Sequence, residues 1–319
     1  MSEERRQEYM SKYVRTGSDV ILPKGSNPYP QMKYDSFILN VTPDFGGFGG
    51  STLWSYIYEP VQMQPEPVIC DRPRYITVFG GIATDFTRLH GAAEVSLGTS
   101  KSDMRTFILA EPFAVHMKKG MYYSINITRI DIPGVPLHYN EFILGEDAPL
   151  SEKFDESGDA GFASFIKTGE AITAKYPDKS NVPCTIMTTD SNMFKSNDMM
   201  RRTWMPITNP HIMAKQSHTH AFTEYLVCYG SDPENVSDLG GVIEFTIGES
   251  LDTLETFRIE KATQFCLRDG LLHSPLVFRE VRDPRKPIIF CEVSYSDGLV
   301  QSKKYDNVLA DDSLPSYDY

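Results

Sequence analysis

Short runs of alternating apolar and polar residues, closed off by glycine, proline or polar clusters, recur along this chain and predict strands. In the N-terminal half they cover Ser36–Val41, Ser51–Tyr58, Tyr75–Phe79, Ala93–Leu97, Phe107–Leu109, Ala114–His116, Tyr122–Ile127 and Phe142–Leu144. The pattern resumes after Pro183 and is dense from Phe222 to Tyr295, where Gly241–Gly248 and Pro287–Tyr295 read as core strands. A helical period shows only near the start, where Tyr9, Met10, Tyr13 and Val14 gather on one side of residues 3–14. Pro23 to Pro30 reads as an irregular arm, Glu146 to Ala160 as a polar connector, and residues 161–175 as a short helix or loop. The run Gly46-Gly47-Phe48-Gly49-Gly50 lacks the Lys-Ser/Thr and the following helix of a phosphate loop, so it is expected to be a hairpin loop. The acidic end, Ala310 to Tyr319, is expected to lie on the surface.

Composition agrees with a β-rich globular chain. Of 319 residues, 17 are Tyr and 18 Phe, and 22 Gly with 21 Pro supply the turns. A net charge of −12 argues against nucleic acid as a partner, because a phosphate backbone would be repelled. No run reaches the roughly 18–20 apolar residues of a membrane span, and the charged start has no apolar signal core. Five scattered cysteines without a Cys-x-x-Cys pair point to free thiols in a reducing compartment. These features place the chain in the cytoplasm as an expectation.

The chemistry concentrates at His218-Thr219-His220-Ala221-Phe222-Thr223-Glu224 and at Gly270-Leu271-Leu272-His273. Side chains two apart on a strand share a face, so a regular strand over 218–224 would aim His218, His220 and Glu224 the same way. At roughly 3.3 Å of rise per residue the two imidazoles start about 7 Å apart at the backbone, close enough to converge on one ion. His273, on a later strand, would supply a fourth ligand. Three imidazoles and a carboxylate suit a divalent first-row metal with positions left open for water, substrate or dioxygen. A buried Glu224 without a cation or donor would cost several kcal/mol. Glu224 is taken as a ligand, with the role of base as its alternative. By parity Leu226 and Cys228 should line the pocket, while Tyr225 and Tyr229 should face outward. His138 and His211 are expected to be surface or hydrogen-bonded histidines, and Met187, Met193, Met199 and Met200 either a lid or core filling.

An internal repeat accounts for the length. Arg88–Glu94 aligns with His218–Glu224, and Val115–Tyr123 aligns with Phe265–His273 at a somewhat larger offset. In that register Arg88 and Tyr123 stand where His218 and His273 are, and His90 and Glu94 match His220 and Glu224.

These residues resemble the cupin superfamily, whose motifs run Gly-x5-His-x-His-x3,4-Glu-x6-Gly and Gly-x5-Pro-x-Gly-x2-His-x3-Asn. His218-x-His220-x3-Glu224-x5-Gly230 is similar to the first and Arg268-x-Gly270-x2-His273 to the second, while Ile212, Arg268 and Val277 depart from the pattern. The resemblance implies an all-β fold of two jelly-roll antiparallel barrels in tandem. Residues 1–33 would be an N-terminal arm, 34–160 a first barrel with a degenerate metal site, and 161–319 a second barrel with the metal site and the acidic tail. It implies one divalent transition metal on His218, His220, Glu224 and His273, iron first, with manganese, nickel or zinc as alternatives. No organic cofactor is called for, and no further catalytic residue is assigned. The expected activity is a dioxygenase-type oxidoreduction of a small organic molecule. The alternatives are a non-redox metalloenzyme (isomerase, lyase or decarboxylase) and a non-enzymatic binding or storage protein. By analogy the chain forms a homo-oligomer, a dimer, with the Tyr9–Tyr13 arm as clasp; nucleic acid and membrane are not expected partners.

Overall fold

Strands Arg74–Gly80 and Glu224–Gly230 are buried along nearly their whole length, so both their faces must be covered. One face lines a barrel interior and the other meets a second barrel, and this arrangement organises the molecule. The computed structural model describes residues 3–22, 29, 37–82, 85–153, 161–175, 185–296, 301–308 and 313–317. Among these, the α-helices are Glu3–Tyr13 and the single turn Ser191–Phe194. A six-stranded and a five-stranded antiparallel sheet make the first barrel, and two seven-stranded sheets make the second. Two β-sheets closed over an apolar core are what the alternating pattern requires.

The register of the sheets fixes the internal repeat. Tyr75 lies between Phe142 and His116, as Tyr225 lies between Val293 and Cys266. Leu97 faces Tyr123 as Ile247 faces His273, and Trp54 and Trp204 occupy matching places. One shift along the chain relates these positions, lengthened by a single residue on the strands of Phe142 and Val293. The alignment of Arg88–Glu94 with His218–Glu224 is therefore corrected: Glu94 sits on Gly91–Gly98, the counterpart of Asp238–Gly248. So short a match, containing one His and one Glu, could not outweigh strand order.

Each barrel borrows a strand that precedes the other. Val14–Thr16 pairs with Phe265–Thr263 of the second barrel, and Ile166–Thr168 pairs with Val115–Phe113 of the first. The helix before Val14 buries Tyr9 and Tyr13 against the second barrel's interior cluster. Full burial of such a side chain stabilises by roughly 1.5–3 kcal/mol.

Tyr225 and Tyr229 do leave their barrel as parity requires, but they meet the first barrel and not solvent. The Tyr225 hydroxyl donates to the Phe45 carbonyl at 2.8 Å, and Tyr229 tilts against Trp54 with centroids 6.0 Å apart. Met187 and Met200 are filling of this inter-barrel core. At its centre lies Arg202, fully buried between Phe142 and Trp204, with Nη1 donating to Asn140 Oδ1 at 2.8 Å. His138 is buried as well, stacked on Phe79 at 4.7 Å. Cys70, Cys228, Cys266 and Cys291 are free and buried, and Cys184 lies outside the described residues. No helix among the described residues is long and apolar enough to cross a membrane.

Candidate metal centre

Strand Gln216–His220 brings His218 and His220 to one face. His218 pairs directly with His273 of strand Leu272–Val281. The first strand does not continue to Glu224. The chain bends at 221–223, changes sheets, and begins the new strand Glu224–Gly230 with that carboxylate. The expectation of one regular strand over 218–224 is thus corrected, yet the bend still aims Glu224 at the histidines. Its Oε2 lies 3.5 Å from His220 Nε2 and 3.9 Å from His273 Nε2. Ligating atoms of the three histidines lie within 4.8 Å of one another, with ring centroids 4.3 Å apart for His218 and His273.

The surroundings hold these rings in one tautomer. His218 Nδ1 faces the Gln216 carbonyl at 3.1 Å and His273 Nδ1 the Leu271 carbonyl at 2.9 Å. A carbonyl only accepts, so Nδ1 carries the proton in each ring and the Nε2 lone pair turns inward. His273 Nε2 is buried and meets no hydrogen-bond partner. Burial pushes the His218 imidazole down to about 4, and burial reinforced by its two histidine neighbours holds His273 well below its usual value. Both rings are neutral at pH 7, the form that ligates metal, so the contact between His273 and Glu224 is not an ion pair. Burial first, then the carboxylate of Glu292, raises Glu224 well above the carboxylate range. The carboxylate of Glu224 beside the inward lone pairs of His218 and His273 and the Nε2 of His220 fits a divalent cation.

Backbone features fix the second half of the site. Gly270, at φ +76, turns the chain after strand Thr263–Leu267 and donates its N–H to the His220 carbonyl at 3.0 Å. Ser274, the residue after His273, holds φ +81, and its carbonyl accepts from Ser217 Oγ at 2.6 Å. A serine in the left-handed region is strained by about 1–3 kcal/mol and persists only where its surroundings impose it.

Two neighbours were missed from the sequence. On strands Ile288–Ser294 and Arg201–Ile207, Glu292 and Arg201 share the inward face of Phe290 and Met205. Glu292 was legible as the one charge in an otherwise apolar strand, while Arg201 had no distinguishing signal beside Arg202. His211 is no part of the site: it is buried on Phe278, with Nδ1 against the Asn209 carbonyl at 2.9 Å.

The equivalent positions of the first barrel carry Val68, Cys70, Arg74 and Tyr123. Arg88, expected at one of them, is on the surface. This set offers a metal no imidazole and no carboxylate.

Two double-sheet barrels in one chain, joined back to back with a His-rich cluster inside the second, define the bicupin fold. No protein-family model and no curated protein sequence matches the chain. Solved structures of oxalate decarboxylase from Bacillus subtilis do. A variant of that enzyme aligns with a TM-score of 0.56 at 11% identity, over 92% of this chain and 79% of that one. Another variant aligns with a TM-score of 0.52 at 12% identity, over 91% and 80%. A structure concerned with the Mn(II) centres of the same enzyme gives a TM-score of 0.52 at 11% identity, over 91% and 80%. At this identity the likeness is one of fold.

Proposed function

We propose that this chain is a metal-dependent enzyme that carries out non-redox, lyase-type chemistry on a small carboxylic acid. The convergence of His218, His220, His273 and Glu224 inside the second barrel carries this reading. The likeness to a decarboxylase with Mn(II) centres favours decarboxylation over the dioxygenase chemistry expected from the motif, and manganese over iron. A metal bound there supplies Lewis-acid polarisation of a substrate oxygen. The chain's own residues do the rest. The inward Nε2 atoms and Glu224 leave part of the coordination sphere open for a chelating substrate. Arg201 Nε, Thr203 Oγ1 and Ser294 Oγ are buried on the same inner face without a partner, beside Glu224 and Glu292 in register. They offer donors to an anionic group, and the buried site excludes water.

Metal content of the purified protein, followed by carbon dioxide release and oxygen consumption over a panel of small mono- and dicarboxylic acids, tests the reading. Metal-dependent carbon dioxide release without net oxygen uptake is expected. Stoichiometric oxygen uptake with substrate would return the dioxygenase reading. Failure to bind Mn, Fe, Ni or Zn after anaerobic reconstitution would sink both and leave a binding or storage protein.

A further inference from the structure

The two barrels place different charges at one structural position, and the comparison gives Glu292 a role. In the first barrel Arg74 and Glu141 are diagonal neighbours on adjoining strands, since Arg74 pairs with Ile143 and Ile76 with Glu141. They form a buried ion pair, Nη1 to Oε1 at 2.6 Å, and the same Nη1 donates to the Tyr123 hydroxyl at 2.9 Å. The second barrel repeats this geometry. Glu224 pairs with Ser294 and Leu226 with Glu292, so Glu224 stands at the place of Arg74 and Glu292 at the place of Glu141. Tyr123 corresponds to His273.

Where the first barrel sets a guanidinium against a carboxylate, the second therefore sets a carboxylate against a carboxylate. The two acids lie within hydrogen-bonding reach of each other. Glu292 Oε1 is buried, and no N–H or O–H of the described residues reaches it. The charge of nearby Arg201 acts on both acids, but among the described residues it forms no hydrogen bond or ion pair with either, and its Nε is buried without a partner. Two buried acids side by side are costly unless a proton or a cation joins them. The first barrel carries that cation in its own sequence.

We infer that Glu292 is a second carboxylate for the metal of the C-terminal barrel, positioning Glu224 and adding negative charge, so that the bound ion supplies the positive charge that Arg74 supplies in the first barrel. The inference rests on the metal reading above and adds a residue that the cupin motifs do not contain.

The test is Mn(II) titration calorimetry on metal-free protein, paired with thermal unfolding of the metal-free forms. Glu292→Gln should weaken Mn(II) at least tenfold, in the range seen for residues that support a ligand, while raising the metal-free melting temperature. Weaker binding with a more stable metal-free fold is a combination that a merely structural glutamate does not produce. Glu224→Arg should bind no Mn(II) and should melt above the metal-free wild type, because Glu292 then pairs with the guanidinium as Glu141 does. Adding Glu292→Gln to Glu224→Arg should erase that gain. Unchanged affinity in Glu292→Gln with a metal-binding wild type overturns the inference and leaves the metal reading standing. A fall in both affinity and metal-free melting temperature also overturns it. A wild type that takes up no metal removes both.

Discussion

Gly270 donates its backbone N–H to the His220 carbonyl at 3.0 Å, and at the equivalent turn of the first barrel Gly120 donates to Cys70 in the same way at 2.8 Å. The bond ties the strand holding two histidines to the turn that delivers the third. Both glycines have positive φ, +76 and +90, and nothing lies within 4 Å of an added Cβ. Alanine at either place therefore meets only backbone strain, of about 1–2 kcal/mol. Gly270→Ala and Gly120→Ala should lose similar stability in denaturant unfolding. Only Gly270→Ala should also weaken Mn(II), because only that turn leads to His273.

His218→Ala and His273→Ala should each abolish stoichiometric metal binding in elemental analysis. Neither should unfold the metal-free protein, since each removes a buried, poorly solvated ring. Chelation of the wild type should lower its melting temperature by mass action, as an ion at a hundredfold excess over its Kd adds about 2.7 kcal/mol. An unchanged melting temperature on chelation would argue against a resident ion.

His138 supplies a pH signature away from the metal. Burial against Phe79 pushes its imidazole from 6.5 down to about 3. Between those values the unfolded chain holds a proton that the native chain does not. Stability should then fall on acidification through this window by about 1.4 kcal/mol per pH unit, with the contribution intact above the unfolded value. His138→Phe should flatten this part of the stability profile; a profile identical to wild type would show that His138 does not titrate in this way.

Arg202 is held by geometry that lysine does not reproduce. Its guanidinium lies 4.7 Å from the Trp204 ring centroid and 5.0 Å from that of Phe142 while reaching Asn140. Arg202→Lys should cost roughly 3 kcal/mol, as for other broken buried charge contacts. Denaturant unfolding should show it with metal affinity preserved, because Arg202 faces the other barrel.

The sequence by itself determined the alternation that makes strands, the apolar face of the first helix, the all-β class, and the four residues that converge in the second barrel. Those follow from local spacing: strand parity places His218 beside His220, and the turn residue Gly270 announces His273. Tertiary structure decided how they meet. The sheet change at 221–223 has no local signature, so a single strand over 218–224 is what parity predicts. The structure instead starts a new strand at Glu224 and still brings its carboxylate beside His220 and His273. The repeat needed strand pairing to be aligned, because the first barrel carries Val68, Cys70 and Arg74 where the second has His218, His220 and Glu224. The charge relation of Arg74–Glu141 to Glu224–Glu292 was hidden for the same reason: the partners of each pair are far apart in the chain and adjoin only across a sheet. Burial on the outward faces, which puts Tyr225 and Arg202 between barrels, likewise depends on a packing partner contributed by the other half of the chain.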